Sequence, residues 1–294
     1  MPPSTTVSPA SSPSSVEERQ IRLERDSDNK VFIITFTGSP HKANVFTLPL
    51  LQRLDQLLDQ VEANLPRALI LRGTGSFFSA GFDLQALTGK SHNKSKNSSS
   101  ETTIPQNKPP TTPMDKTPVG QDLVNYSWTV LARLLIFPAP TLAVFNGHAF
   151  GLGLFIGLAC DHRIMLQPQN TTTDKNSDKK KKSGGYLCLP EITIGLPLGS
   201  GFAALAKCKM TPQTLRTSAL TGKQWTAQEA LQAGIVDAVV SAPTNDNALP
   251  KAVLDMAQQL VSTSEKGNLS KIKMELYHET HAVLTSPSSR RAKL

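Results

Sequence analysis

The amino-acid sequence predicts one α/β domain built around a parallel sheet. A β-branched run over 31–37, helix-spaced leucines over 48–61 and an apolar run over 68–71 form a strand–helix–strand unit, which is typical of parallel sheets. Chain length agrees, because about 230 of the 294 residues remain once three low-complexity segments are set aside. A chain of that length suits a single domain of this class.

The low-complexity segments define the domain organisation. The first fifteen residues contain eight Ser or Thr and four Pro with no charged residue, and two internal segments have a similar composition. Such segments bury too little apolar surface to offset their ordering entropy. We therefore expect a disordered arm over 1–18, a domain over 19–264 with surface insertions at 89–118 and 169–185, and a C-terminal helix and tail over 265–294.

The positive charge of the chain lies in these segments. The formal net charge is +8, while 90–116, 174–182 and the last five residues each carry +3, so the remaining chain is close to neutral. No aromatic residues are interleaved with the lysines, as they are in nucleic-acid-binding faces. The composition therefore predicts no nucleic-acid partner, and a basic nucleic-acid binder stays open only as a third alternative.

The first helix follows from spacing and capping. Leucines recur every three or four residues up to Val61, Thr47 stands at the N-cap position and Pro49 lies in the first turn. A second helix is expected over 123–136, where Pro138 and Pro140 end it. The apolar run 141–145 is the next strand, and Asn146, Gly147 and His148 interrupt it.

The C-terminal third alternates in the same way. Its pattern predicts a helix over 226–233, a strand over 235–240 and two amphipathic helices over 249–261 and 269–283.

The apolar run over 141–160 is long enough for a membrane span and contains glycines like those of a dinucleotide-binding loop, but its details argue against both. Asn-Gly-His interrupts the run near its start and no cationic and aromatic belt flanks it, so we expect no membrane span. The third glycine of 151–157 stands one residue late for a dinucleotide-binding loop. The pairs Gly147/Gly151 and Gly153/Gly157 predict close helix packing. Three cysteines at no metal-like spacing predict reduced thiols and no metal.

Two glycine-rich turns and one glutamate remain as candidates for chemistry. Residues 77–83 and 146–153 each place small residues just before a predicted helix, whose first N–H groups lack partners. Two such N–H groups facing one point make an oxyanion hole. Glu191 is a lone carboxylate in an apolar run. From spacing alone, ordinary turn glycines and a surface acid are the simpler interpretation.

Five collinear segments resemble the signature blocks of the crotonase, or enoyl-CoA hydratase/isomerase, superfamily. They are FFSAGFDL (77–84), NGHAFGLG (146–153), ACDHRI (159–164), LPEITIGLP (189–197) and TGKQWTAQEALQAGIVDAVV (221–240). The resemblance spans about 21–259 and is strongest to the Δ3,Δ2-enoyl-CoA isomerases of peroxisomes. It implies a crotonase-type spiral of ββα repeats, with a helical C-terminal region that packs homotrimers or hexamers.

The resemblance also implies a site for an acyl-CoA thioester. The backbone N–H groups of Phe82 and Leu152 would form the oxyanion hole for the thioester carbonyl. Other residues implied to contact the substrate are Ala80, Gly81, Gly151, Phe155 and, at the CoA nucleotide, Lys42, although the family's usual cation is displaced by one residue here. The resemblance implies no cofactor besides the CoA thioester substrate, and it makes His148, Asp83 and Asp161 structural residues.

Departures from the family pattern distinguish the possible reactions. Hydratases of the family use two glutamates, and the first position is Phe155 here while the second is Glu191. Water addition needs one group for water and one for the α-proton. Other isomerases place an acid where this chain has Gly199. We therefore expect Glu191 alone to catalyse a 1,3-proton shift in fatty-acid β-oxidation, with Phe155, Leu189 and Ile192 raising its pKa.

The last three residues indicate a compartment. Ala292, Lys293 and Leu294 are a conservative variant of the Ser-Lys-Leu address that a peroxisomal import receptor reads, which predicts the peroxisome matrix. Two further functional alternatives remain open from the sequence. One alternative is a non-catalytic acyl-CoA-binding subunit. The other is another crotonase-type lyase or hydratase whose second acid comes from an insertion.

Overall fold

A computed structural model describes residues 20–38, 43–65, 67–88, 118–168, 184–245 and 248–286. The strands are β1 (Ile21–Arg25), β2 (Val31–Phe36), β3 (Ala68–Gly73), β4 (Phe77–Ser79), β5 (Thr141–Phe145), β6 (His148–Phe150), β7 (His162–Gln167), β8 (Leu187–Cys188) and β9 (Ala238–Ser241). The helices are α1 (Leu48–Glu62), α2 (Leu84–Thr88), α3 (Pro118–Leu135), α4 (Leu152–Ala159), α5 (Ser200–Lys209), α6 (Pro212–Thr221), α7 (Ala227–Gln232), α8 (Lys251–Leu260) and α9 (Leu269–Thr285). Short 3-10 helices cover Glu191–Ile194 and Val261–Ser264.

The strands form two sheets that together confirm the predicted spiral. The larger sheet has the order β1-β2-β3-β5-β7-β9, and all its pairs are parallel except β1 with β2. The smaller sheet has the order β4-β6-β8, with both pairs parallel. From β3 onward, the first strand of each ββα turn joins the larger sheet and the second joins the smaller sheet. The smaller sheet therefore gathers the turns that follow β4, β6 and β8 at one place.

Helix α1 forms as the leucine spacing predicts. The Thr47 side chain accepts a hydrogen bond from Leu50 N at the N-cap, and the helix-spaced leucines are buried in the main core. Its outer face pairs with α3, where Arg133 contacts Asp55 and Asp59 at 2.6 Å each. Apolar packing and the ion pairs of Arg133 thus hold the two helices together.

Helix α3 begins five residues earlier than predicted. Pro118 is its first residue, a position that proline tolerates because no intrahelical acceptor is needed there. Gly184 and Gly185, at the end of the second predicted insertion, likewise belong to the described structure, and a Cβ built on Gly185 would lie 2.1 Å from the Gly147 carbonyl carbon. The remainder of the two insertions, the arm over 1–18 and the tail from 287 lie outside the described residues.

The glycine pairs have two different roles, so half of that prediction is wrong. Gly153 and Gly157 lie in α4, and a Cβ on Gly157 would meet the Phe145 ring at 2.2 Å. Gly147 and Gly151 instead flank β6, and a Cβ on Gly147 would lie 2.2 Å from the Ser76 carbonyl oxygen. Close approach of two loops requires glycine at position 147, and a φ of 49° favours glycine at position 151, so neither glycine serves helix packing.

Helix α9 is anchored on the α/β body. It packs against α3 and α5, and the buried Lys273 Nζ donates to Phe137 O at 2.8 Å, Ala139 O at 3.0 Å and Asp161 Oδ2 at 2.6 Å. The same carboxylate accepts from Thr141 N, so one ion pair joins α9 to the start of β5. Within the described ranges, no helix is long and apolar enough to cross a membrane.

Candidate active site

The turn between β4 and α2 is held by two main-chain hydrogen bonds and one bond to a serine side chain. Ala80 N donates to Ala43 O at 2.9 Å, Gly81 N to Ser79 Oγ at 3.0 Å, and Gly81 O accepts from Phe46 N at 2.8 Å. Gly81 has a φ of 94°, a conformation that favours glycine. The next N–H group, that of Phe82, has no acceptor among the described residues.

The turn between β6 and α4 repeats this arrangement. Gly151 has a φ of 49°, its N–H donates to Cys188 O at 3.1 Å, and its carbonyl accepts from Phe155 N at 3.1 Å. Leu152 is the first residue of α4, where N–H groups lack intrahelical acceptors. No acceptor for the Leu152 N–H is found in the described part of the chain.

The two unpaired N–H groups belong to adjoining turns with fixed peptide planes. A Cβ built on Gly81 would lie 3.5 Å from Leu152 N and 2.8 Å from Phe150 O, so only glycine fits between the turns. A trans peptide is planar with its C=O and N–H pointing in opposite directions. The carbonyl bonds of Gly81 and Gly151 therefore fix the directions of the Phe82 and Leu152 N–H groups. This arrangement can donate two hydrogen bonds to an oxygen atom.

Glu191 lies beside the second turn, at the start of the 3-10 helix after β8. A Cβ on Gly151 would lie 3.3 Å from Glu191 Oε1, while Oε2 is buried with no hydrogen-bond partner among the described residues. Burial raises the pKa of Glu191 to about 7. A carboxylate in this state can accept and return a proton near neutral pH.

An aromatic cluster connects the first turn to α4 and α5. The fully buried Phe155 ring lies 4.7 Å from Phe202, whose centroid is 5.9 Å from Phe82 and 5.8 Å from Trp128. Leu189 is also fully buried, as the sequence indicates. Ile192 is 53% exposed, because the 3-10 helix turns that side chain outward, so its predicted part in raising the pKa of Glu191 stays a prediction.

The other predicted residues occupy the following places. The N–H groups of Ala80, Gly81 and Gly151 are already bonded within the protein, so they are not available as donors to a ligand. Gly199 precedes α5 with a φ of 78° and brings no carboxylate. Lys42 and the C-terminal tripeptide lie outside the described residues.

Three residues that were predicted to be structural make hydrogen bonds within the fold. His148 Nδ1 accepts from Tyr186 N at 3.1 Å and burial lowers the pKa of this histidine. Asp83 Oδ1 accepts from Ala86 N at 3.3 Å at the start of α2, and Asp161 joins β5 to α9.

Sequence reasoning missed Asn44 and Ser79. Asn44 is buried with a φ of 51°, and its Nδ2 donates to Phe77 O at 2.9 Å. Ser79 donates to Asn44 O at 2.7 Å and lies beneath the first turn. The one sequence signal was the position of Ser79 immediately before Ala-Gly, since small polar residues often bond to nearby backbone groups in turns.

Comparisons with known proteins agree with this geometry. The enoyl-CoA hydratase/isomerase family profile matches residues 121–293. "Enoyl-CoA delta isomerase 3" of Arabidopsis thaliana is 29% identical over 262 residues, covering 87% of this chain and 92% of that protein. "Enoyl-CoA delta isomerase 2, peroxisomal" of the same plant is 29% identical over 268 residues, covering 89% and 94%.

Solved structures show the same fold at lower identity. An enoyl-CoA hydratase/isomerase family protein from Pseudomonas syringae superposes with a TM-score of 0.70 at 20% identity, covering 95% of this chain and all of that chain. A probable enoyl-CoA hydratase from Mycobacterium tuberculosis gives 0.67 at 18% identity, covering 90% and 91%. With the spiral of ββα turns and the family profile over more than half of its length, the chain belongs to the enoyl-CoA hydratase/isomerase family.

Proposed function

We propose that the protein is a Δ3,Δ2-enoyl-CoA isomerase that uses Glu191 as its only base. The observation that carries the proposal is the pairing of one buried carboxylate, without a partner on Oε2, with two unpaired main-chain N–H groups on adjoining turns. The names of the two Arabidopsis relatives support the same class of reaction.

The proposed reaction is a proton shift along a 3-enoyl-CoA. The thioester oxygen accepts hydrogen bonds from the N–H groups of Phe82 and Leu152, and Glu191 removes a proton from C2. The electron pair of that C–H bond moves into an enolate whose negative charge rests on the thioester oxygen. The enolate then collapses, the double bond moves to C2–C3, and C4 takes back the proton from Glu191. The product is trans-2-enoyl-CoA, and no cofactor takes part.

Two features favour an isomerase over a hydratase. The positions where family members carry a second acid hold Phe155 and Gly199, and the Phe155 ring is buried against Phe202. An apolar wall at this place keeps water away from the enolate. A hydratase, or a subunit that binds acyl-CoA without turnover, is the alternative that the assay must distinguish.

The test is an assay on cis- and trans-3-hexenoyl-CoA, following the absorbance of the conjugated thioester. We expect turnover by the wild type and a loss of at least about a thousandfold in kcat for Glu191→Gln, because the base is then absent. Glu265→Gln, at an exposed position, is the matched control and should keep wild-type activity. Water uptake on 2-enoyl-CoA would support the hydratase, and binding without turnover would support the binding subunit.

We also propose the peroxisome matrix as the compartment and a homotrimer or hexamer as the assembly. The resemblance of Ala292, Lys293 and Leu294 to a peroxisomal address and the printed name of one Arabidopsis relative support the compartment. The test is a fluorescent protein fused to the N-terminus, with and without the last three residues. Loss of peroxisomal fluorescence on deletion is the expected result, and an unchanged pattern would contradict it.

A further inference from the structure

Ser79 is a fully buried residue at the end of β4, where it makes two hydrogen bonds through one oxygen. Its hydroxyl donates to Asn44 O at 2.7 Å, and the same oxygen accepts from Gly81 N at 3.0 Å. The second bond fixes the peptide that precedes Gly81. Gly81 is the residue of greatest backbone freedom in the first turn, and its φ of 94° is the conformation that this bond holds.

The same residue contacts the second turn. A Cβ built on Gly153 would lie 2.7 Å from Ser79 O and 2.8 Å from Ser79 Cβ, so α4 packs directly on Ser79. Gly153 follows Leu152, whose N–H is unpaired. Ser79 therefore touches both chain segments that carry unpaired N–H groups, with Phe82 three residues ahead of it and Leu152 across the glycine contact.

The acceptor of the Ser79 hydroxyl is itself rigid. Asn44 is buried in a left-handed conformation, and its side-chain amide donates to Phe77 O at 2.9 Å and Phe78 O at 3.3 Å. These carbonyls lie in β4, immediately before Ser79. Hydrogen bonds therefore hold both the backbone just before Ser79 and the Ser79 hydroxyl. Rotation of the side chain would break the hydroxyl's hydrogen bonds, which water cannot replace at this fully buried site.

We propose that Ser79 is a positioning residue that holds the Phe82 and Leu152 N–H groups in register toward one enolate oxygen, an inference that rests on the proposed function. Preorganised donors stabilise developing charge because they need not reorient during the reaction. Removal of the hydroxyl leaves the Gly81 N–H buried without an acceptor, and the glycine can then turn away from its present φ. The bond from Phe46 N to Gly81 O is then the one remaining bond that orients the Phe82 donor, which is held less firmly.

The expected kinetic signature of Ser79→Ala is a fall in kcat with little change in KM. We expect kcat to fall about ten- to a hundredfold, less than the loss of a whole oxyanion donor, and KM to change less than about threefold. Ser218→Ala is the matched control, because the Ser218 hydroxyl is also fully buried, donates to Thr214 O and accepts from Trp225 Nε1. It should lose stability and keep the wild-type kcat.

A spectroscopic readout separates positioning from general damage. The infrared band of a 13C-labelled thioester carbonyl shifts to lower frequency when two donors polarise it, and saturated hexanoyl-CoA allows this measurement without turnover. We expect a downward shift on binding to the wild type and to Ser218→Ala, and the loss of most of that shift in Ser79→Ala. If Ser79→Ala does not fold, Ser79→Cys, with a weaker donor of similar size, should give an intermediate shift.

The outcomes distinguish this inference from the proposed function. A wild-type carbonyl shift and kcat in Ser79→Ala, or a full wild-type shift in a folded Ser79→Cys, would overturn the role of Ser79 and leave the isomerase standing. Absence of isomerisation by the wild type would overturn the proposed function, while the infrared shift would still report whether Ser79 aligns the two donors.

Discussion

Glu191 is half-buried, and its carboxylate oxygen Oε2 is buried with no hydrogen-bond partner among the described residues. Desolvation of the carboxylate raises the free energy of its ionised form and raises the pKa of Glu191 to about 7. The identity of this residue followed from the family resemblance. The resemblance also predicted the direction of its pKa shift, whereas spacing alone indicated a surface acid, because only the fold places the turn after β6 against this residue.

The raised pKa of Glu191 predicts the pH dependence of the reaction. Only the ionised carboxylate can take the C2 proton, so kcat/KM should rise with pH, reach half its maximum near pH 7 and level off above pH 8. The measurement is kcat/KM for trans-3-hexenoyl-CoA between pH 5.5 and 9. A profile already flat at pH 5.5 would show that a different group, or an unshifted carboxylate, is the base.

The raised pKa of Glu191 also predicts a lower free energy of unfolding at high pH. The folded pKa of about 7 exceeds the ordinary value of 4.5, so the folded protein binds more protons than the unfolded chain between these values, and stability falls as pH rises through this window. The cost is up to about 3 kcal/mol. Glu191→Gln should therefore be more stable than the wild type in urea at pH 8 and equal to it near pH 4. Equal midpoints at both pH values would contradict the shift.

At the scale of elements, substitutions of two glycines at α4 should affect stability and activity differently. Gly157→Ala places a methyl group 2.2 Å from the Phe145 ring, and this overpacking should cost about 1–3 kcal/mol of unfolding free energy without changing kcat of the folded enzyme. Gly151→Ala adds a strained φ and a methyl group 3.3 Å from Glu191 Oε1, and it should lower kcat at least tenfold. Urea unfolding and 3-hexenoyl-CoA kinetics on both variants check this contrast.

The attachment of α9 depends on one buried ion pair. Lys273→Met removes the cation from Asp161 and from two carbonyls, which leaves a carboxylate without its charge partner and should cost about 3–5 kcal/mol. In this variant, hydrogen exchange should become faster in α9 than in the rest of the chain. Lys271→Met, at an exposed position of the same helix, is the control and should leave exchange unchanged. Equal exchange in the two variants would show that apolar packing alone holds α9.

Some elements were predictable from the sequence, and others were not. Helix α1 occurs where spacing and capping place it, because it contains enough residues to show a period, and strand β5 occurs where a continuous apolar run predicts it. Helices α5 and α6 and strand β7 were not predicted from the sequence. Strands β4, β6 and β8 have two or three residues, too few for any alternation. These are the strands of the smaller sheet, which brings the candidate site together, so the sequence pattern was least informative where the site is built.

At the scale of the whole molecule, exposed apolar side chains offer a test of the proposed assembly. Ile192 is 53% exposed, and Leu220 and Leu276 are 67% exposed. We expect light scattering to give a mass of three or six chains of 31.7 kDa. Leu220→Asp and Leu276→Asp should shift that mass downward if these side chains lie at subunit contacts. A wild-type monomer at micromolar concentration would contradict the assembly.

The sequence by itself determined the parallel α/β class, the places of α1, α3, α8 and α9 and, through five collinear blocks, the family. These properties depend on local periodicity and on residue types, both of which can be read along a chain. The tertiary structure decided that a buried oxygen of the Glu191 carboxylate lies beside the turn at Gly151, that the Phe82 and Leu152 N–H groups are unpaired on adjoining turns, and that Ser79 touches both turns. Hydrogen-bond partners and desolvation depend on segments more than a hundred residues apart in places, so only the folded chain defines them.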